Sequence, residues 1–421
     1  MAWKELSGAT GLKWSSQVSH RDWLRRQAYA LIDFYQPNCI NPRGGFFDLD
    51  DYGHPLPTGW PPGPKPARAL FATVRMVHCF SIAHLMGRPG ADKIVDHGME
   101  FLWNGHRDSI NGGYHWATGY EGPLDSTKQA YGHAFVLLAG SSAKIVGHPD
   151  ADRLLEDATQ VLLERFWEPQ HGAIAEEFQE EWTSVGSYRG QNSNMHLTEA
   201  CMAAFEATGR EQYLEMAESI ADLIIRRITA SNGWRLPEHF DENWKIDTGY
   251  DRDVFRPFGT TVGHWLEWSR LLLQLWELGG RQVEWLPGAA RTLFRKATLE
   301  GWDGEKGGFY FTLDWEGKPR DRDRYWWPCA EGIGAAAFLN GIDGDSYYEE
   351  WYRRIWNWTS EHLIDHQHGG WRHQLNNDLI PTTQPWFGKP DMYHAFQACL
   401  IPMLPTSGSV THGLLKAGLR T

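Results

Sequence analysis

Gly307-Gly308-Phe309-Tyr310-Phe311-Thr312-Leu313-Asp314-Trp315-Glu316-Gly317 decides the fold, because its opening turn returns along the whole chain. The same Gly-led step appears as Gly44-Gly45-Phe46, Gly112-Gly113-Tyr114, Gly172-Ala173, Gly233-Trp234 and Gly369-Gly370-Trp371, with successive spacings of 68, 60, 61, 74 and 62 residues. A fixed period dictates architecture before any single element is placed. Short alternation closing on glycine, seen again in Phe46-Phe47-Asp48-Leu49-Asp50-Asp51-Tyr52-Gly53, predicts a small β-hairpin at each turn.

A long helical stretch follows each hairpin, clearest over Ala72 to Met86, Tyr131 to Val146 and Gly263 to Leu278, where apolar residues recur at three and four. A second marker then breaks the chain at Gly87-Arg88-Pro89-Gly90, Gly147-His148-Pro149-Asp150, Gly209-Arg210-Glu211, Gly279-Gly280-Arg281 and Gly344-Asp345-Ser346. Glycine there suits a helix C-terminus and Pro or Asp a new start. The second helix, as in Ala151 to Phe166 or Glu211 to Ile228, carries an apolar stripe opposite a charged face. One such pair cannot bury its stripe alone. Six units of hairpin, helix, turn and helix therefore predict an all-α (α/α)6 barrel of six helix-pair repeats, read as one catalytic domain over residues 1–421.

Composition narrows the function classes. With 42% hydrophobic and 22% charged residues in 421, the chain can build a large core, and no run approaches the roughly 18 apolar residues of a membrane span. A net charge of -13 without a basic stripe argues against nucleic acid and anionic lipid. Cys39, Cys79, Cys201, Cys329 and Cys399 form no CxxC pair and read as buried thiols. The start Met1-Ala2-Trp3-Lys4-Glu5 lacks a secretory pattern, which points to the cytoplasm. The exterior is compatible with a monomer or with a homo-oligomer paired through outer helices.

In a closed barrel the first turns of the six inner helices open at one end, and in this chain they are polar. Arg75, Tyr131, the run Asn192 to Glu199, the run Gly263 to Glu267, Trp327 and the run Asp391 to His394 fall there. His196/Glu199, His264/Glu267 and Asp391/His394 each place an imidazole and a carboxylate three apart, on one helical face. One such pair is ordinarily a solvated surface feature. Three at equivalent positions, among apolar neighbours such as Met195, Trp265 and Met392, predict a cluster that moves protons. His78, His84 and His133 read as packing or hydrogen-bonded histidines. Each clustered His has its own acid and no HExxH-type density is present, so no metal or other cofactor is expected. A glycoside hydrolase would need two carboxylates across the scissile bond, and Asp125, Glu267, Glu331 and Asp391 are candidates. Histidines rather than lone acids hold the repeated positions, which fits proton shuttling better.

At these residues the chain resembles the N-acylglucosamine 2-epimerase superfamily, and within it the aldose–ketose isomerase branch. The resemblance spans nearly the whole length and rests on Thr73-Val74-Arg75-Met76-Val77-His78, Lys128-Gln129-Ala130-Tyr131, Asn192-Ser193-Asn194-Met195-His196, Gly263-His264-Trp265-Leu266-Glu267-Trp268, Arg324-Tyr325-Trp326-Trp327-Pro328 and Asp391-Met392-Tyr393-His394. It implies a metal-free, cofactor-free isomerisation of a free monosaccharide through a cis-enediol. On that resemblance His264 and His394 are the acid/base pair, His196 assists ring opening or holds a ring hydroxyl, and Arg75, Tyr131, Asn192, Glu199, Glu267, Trp327 and Asp391 bind the sugar. Sulfoquinovose isomerases of the branch carry an Arg and a Gln where this chain has Val254 and Pro390. A neutral sugar is therefore implied, D-mannose/D-fructose with D-lyxose/D-xylulose beside it. A sulfosugar would have to rely on Arg252 and Arg256, and a 2-epimerase would differ only in proton geometry. Pro55 to Pro66 and Asp241 to Pro257 are the loops placed to close over the cavity.

Overall fold

The computed structural model describes residues 12–59, 65–383, 385, 387–405 and 408–418. The N-terminal Met1 to Glu5 and the middle of the Pro55–Pro66 loop lie outside them. Helix α1 (Val18–Tyr35) precedes the first hairpin. Five pairs follow: α2 (Leu70–Leu85) and α3 (Ala91–Phe101), α4 (Ala130–Ile145) and α5 (Ala151–Val161), α6 (Gln191–Thr208) and α7 (Glu211–Ala221), α8 (Val262–Leu278) and α9 (Trp285–Glu300), α10 (Trp326–Asp343) and α11 (Ser346–His362). Helices α12 (Tyr393–Leu400) and α13 (Val410–Gly418) end the chain. The even-numbered helices α2 to α12 form the inner ring and are buried almost all round; the outer helices bury one stripe. Gly209 and Gly344 terminate α6 and α10 with φ of +71° and +69°, the left-handed cap expected at those breaks.

The sixth repeat departs from the expected pattern. Among the described residues no outer helix follows α12; the place is taken by α1, from the other end of the chain, which packs on α12 and donates from Tyr35 Oη to the Asp391 carbonyl at 2.8 Å. A linear array would leave two edges unburied, and this exchange removes both.

The mouth is closed by the same logic. The two residues before each of the first five inner helices pair antiparallel with the hairpin of the next repeat: Arg68–Ala69 with Ala117–Thr118, Lys128–Gln129 with Glu177–Phe178, Arg189–Gly190 with His239–Phe240, Thr260–Thr261 with Thr312–Leu313, and Arg324–Tyr325 with Gln374–Leu375. The series returns to its start where Lys389 N donates to Leu49 O at 2.7 Å. The result is an (α/α)6 barrel, not an open solenoid.

Three of the hairpins share a device that repeat counting overlooks. Asp108, Asp303 and Asp365 stand four residues before the Gly-Gly step; one carboxylate oxygen accepts from the backbone of the turn. The other oxygen meets a cation from the strand before the next inner helix: Lys128 at 2.8 Å, Arg324 at 2.5 Å and Lys389 at 2.9 Å. Lys128 is wholly buried. Asp108→Ala strands that ammonium without a counter-charge and should cost about 3–5 kcal/mol in urea unfolding, most of it restored in the double variant Asp108→Asn/Lys128→Met.

The five cysteines are buried and free. His78 and His133 are buried and bonded, to Ser142 Oγ and to the Gln129 carbonyl, both at 2.7 Å. His84 instead lies exposed at the end of α2, because its turn faces solvent. Among the described residues no helix is long and apolar enough to cross a membrane.

Candidate active site

The inner helices start at the mouth, so residues in their first two turns converge. Arg75 (α2), Tyr131 (α4), Asn192 and His196 (α6), His264 and Glu267 (α8), Trp327 (α10) and His394 (α12) line one cavity of about 560 Å³. Val254, Phe255 and Pro257 supply its roof, so the Asp241–Pro257 segment is the covering loop; the described part of Pro55–Pro66 does not reach the cavity. Gly263 makes room for the aromatic wall: a Cβ there would sit 2.2 Å from the Trp327 ring. Trp327 stands beside both flanking histidines, with ring centroids 5.0 Å from His264 and 5.8 Å from His394.

The histidine partners differ from the three-residue pairs that the spacing suggests. His264 Nδ1 lies 2.9 Å from Glu238 Oε2, and His394 Nδ1 lies 2.8 Å from Glu331 Oε1. Side chains three apart on a helix share a face, but here the carboxylates come from neighbouring elements pointing inward, which approach closer than Glu267 or Asp391 can. A carboxylate only accepts, so each Nδ1 carries the proton and each Nε2 is left for the cavity. His196 lacks such a bond: its Nδ1 is 3.8 Å from Glu199 and 3.7 Å from Glu267. It is held by ring contacts with Tyr131 and Phe135 at 5.0 and 4.7 Å, and burial lowers its pKa to about 4. His394 is also lowered by burial, against the pull of Glu331, and is neutral at pH 7.

Two residues assigned to sugar binding stand behind the cavity instead. Asp391 binds Arg75 Nη1 at 2.9 Å, while Arg75 Nη2 donates to Tyr131 Oη at 2.7 Å, so Asp391 acts by aiming the guanidinium. Glu199 accepts from the Tyr393 hydroxyl and lies 3.5 Å from Arg270 Nη1. Its charge survives burial because His196, Arg270 and that hydroxyl outweigh the desolvation.

Arg270 lies behind the cavity, among its buried carboxylates. Its Nε is 2.9 Å from Glu331, Nη1 3.5 Å from Glu199 and Nη2 3.7 Å from Glu267. His196, Glu199, Glu267 and Glu267, Glu331, His394 form clusters of metal-ligand type. The Arg270 guanidinium supplies positive charge to the three carboxylates of these clusters. One guanidinium cannot neutralise three carboxylates. Glu267, with neither oxygen hydrogen-bonded, takes the consequence: burial and the nearby Glu331 raise it well above the usual carboxylate range. A neutral carboxylic acid facing the cavity can donate to a sugar oxygen.

Glu238 and Arg270 escaped the sequence reading. Glu238 does leave a repeat signal, since Glu176 and Glu238 both precede a strand that pairs at the mouth. Arg270 follows Glu267 by three in an otherwise leucine-rich helix. Of the hydrolase candidates, Glu267 is the sole carboxylate lining the cavity among the described residues, so an acid pair across a bond is not built here.

The model of the N-acylglucosamine 2-epimerase (GlcNAc 2-epimerase) family matches residues 44–398. The chain belongs to this family. It is 40% identical over 413 residues to the D-mannose isomerase of Thermobifida fusca, covering 96% of this chain and 99% of that one. It is also 40% identical over 415 residues to the D-mannose isomerase of Pseudomonas cannabina pv. alisalensis, covering 96% and 97%. A crystal structure of a D-mannose isomerase superposes with a TM-score of 0.84 at 33% identity, covering 91% of this chain and 97% of that one. The barrel and the family are thus established together.

Proposed function

We propose that the chain is an aldose–ketose isomerase that interconverts D-mannose and D-fructose, and D-lyxose and D-xylulose more slowly. The observation that carries this reading is the pair His264 and His394, each with Nδ1 tied to a buried carboxylate and Nε2 left for one cavity. In the open-chain aldose, His394 takes the proton from C2, and the C–H electron pair forms the C1=C2 bond of the enediol. The same base returns a proton to C1, the one it took or one exchanged with solvent. His264 moves the O2 hydroxyl proton to O1, so that C2 becomes the carbonyl of the ketose. Arg75, beside the cavity with its second nitrogen on Asp391, stabilises negative charge developing on oxygen. His196 and Glu267, whose carboxyl is held well above the usual range by burial and by Glu331, bind sugar oxygens during ring opening.

A neutral sugar is supported by the state of the arginines. Arg256 lies 3.2 Å from Glu177 and 3.6 Å from Glu176, Arg252 lies 3.9 Å from Glu177, and Arg75 is engaged by Asp391. A sulfonate would have to displace those carboxylates. The substrate is then a free monosaccharide, and we place the chain in the cytoplasm as one catalytic domain. Incubation with a panel of D-mannose, D-lyxose, D-glucose and sulfoquinovose should give fructose from mannose fastest; conversion of sulfoquinovose alone would overturn the substrate, and conversion of none would overturn the activity.

A further inference from the structure

A chain of hydrogen bonds runs from the end of the protein to His394. The Gly408 carbonyl accepts from Gln274 Nε2 at 2.6 Å, Gln274 Oε1 accepts from Arg270 Nη1 at 2.9 Å, Arg270 Nε donates to Glu331 Oε2 at 2.9 Å, and Glu331 Oε1 accepts from His394 Nδ1 at 2.8 Å. Gln274, Arg270, Glu331 and His394 are all buried. We propose that the C-terminal segment from Gly408 onward sets the working state of His394 through this path, which makes Gln274 and Arg270 positioning residues of the reaction.

Neither Gln274 nor Arg270 lines the sugar cavity. The guanidinium has a choice of partners: Nη2 makes no hydrogen bond, and Glu199 and Glu267 wait 3.5 and 3.7 Å away. What holds its Nε on Glu331 is the Gln274 amide oxygen, and that amide is turned the right way because its nitrogen is spent on the tail carbonyl. The tail is itself fixed, since Ser409 N donates to the buried Glu206 at 2.6 Å while α13 packs beneath α2, α4 and α6. Directional bonds between buried partners are worth more than the same bonds in water, and each polarises the next.

His394 also faces Glu267 from α8, Arg75 from α2, His196 from α6, His373 from the sixth hairpin, and Asp391 and Tyr393 of its own segment. Gln274 is hydrogen-bonded to Arg270 and to the Gly408 carbonyl, and to none of these. If Arg270 swings toward Glu199, Glu331 keeps its charge with less to offset it, and protonated His394 is favoured. The base then becomes available only at higher pH.

The test is Gln274→Leu, together with a chain ending at Pro405. The imidazole titration of His394, assigned by loss of its resonance in His394→Gln, should move up by about half a pH unit or more in both. The acidic limb of kcat/KM should move with it, with KM within about twofold of the parent. This rests on the isomerase reading, but the resonance does not need turnover: a parent without activity overturns that reading alone. A His394 that titrates in Gln274→Leu where it does in the parent overturns the proposal, and a lowered thermal midpoint without the shift overturns it equally. Should the shortened chain fail to fold, Gln274→Leu decides.

Discussion

His394→Gln should fold as the parent does and convert mannose about 10²–10⁴-fold more slowly, the range expected for loss of a positioned general base. The amide is close in shape to the imidazole, and it can still donate to Glu331, so the buried carboxylate is not stranded. What disappears is a basic nitrogen over the cavity. His264→Gln should fall into the same range, and the double variant should lose far less than the product of the two, because the histidines act in one proton relay. The measurement is kcat and KM by fructose appearance, with circular dichroism to confirm the fold. Because the effect is on proton transfer, kcat falls and KM changes little. A non-catalytic sugar-binding toroid has no such rate to lose, and a hydrolase would keep its activity.

Arg75→Met should be as damaging for a different reason. In the folded protein Arg75 joins Asp391 and Tyr131 and faces the cavity. Removing it costs the charge that steadies the enediolate, about 10²–10³-fold in kcat if it is worth as much as one oxyanion donor. It also leaves Asp391 ionised and buried without its partner, at about 3–5 kcal/mol. The two losses separate in Arg75→Met/Asp391→Leu, which should recover most of the stability and none of the activity. Arg75→Lys should restore little, because an ammonium cannot hold Asp391 with one nitrogen and Tyr131 with another. Urea unfolding and steady-state kinetics on the same samples read both effects.

The repeat architecture was legible because it is written locally: Gly308, at φ +76°, with the Trp358 ring 2.6 Å from where its Cβ would lie, marks a turn that only glycine can make. Ring closure was not legible as a connection. Nothing in α1 announces that it will pair with α12, since both are simply amphipathic or apolar helices far apart in sequence. The cavity residues followed from position: first turns of inner helices converge whatever their sequence, and His196, His264, His394, Arg75, Tyr131, Asn192, Glu267 and Trp327 all arrive there. Their hydrogen-bond partners did not follow. Helical spacing proposes contacts within one helix, whereas the barrel brings Glu238 and Glu331 in from adjacent elements at 2.8–2.9 Å. Asp391 and Glu199 stand behind the cavity, on Arg75 and on the Tyr393 hydroxyl, a placement not legible in advance because sequence carries the face of a helix but not the depth of a side chain.

The central claim is that a histidine carries the C2 proton of the aldose to C1. Proton NMR of D-mannose converted in D2O measures this directly. The account predicts fructose labelled at C1 in part, with the remaining C1 hydrogen carried across from C2 by the shielded base, and no label at C3. Fructose formed without any transfer and with deuterium at C3, or mannose that returns as glucose labelled at C2 with no ketose, would contradict it.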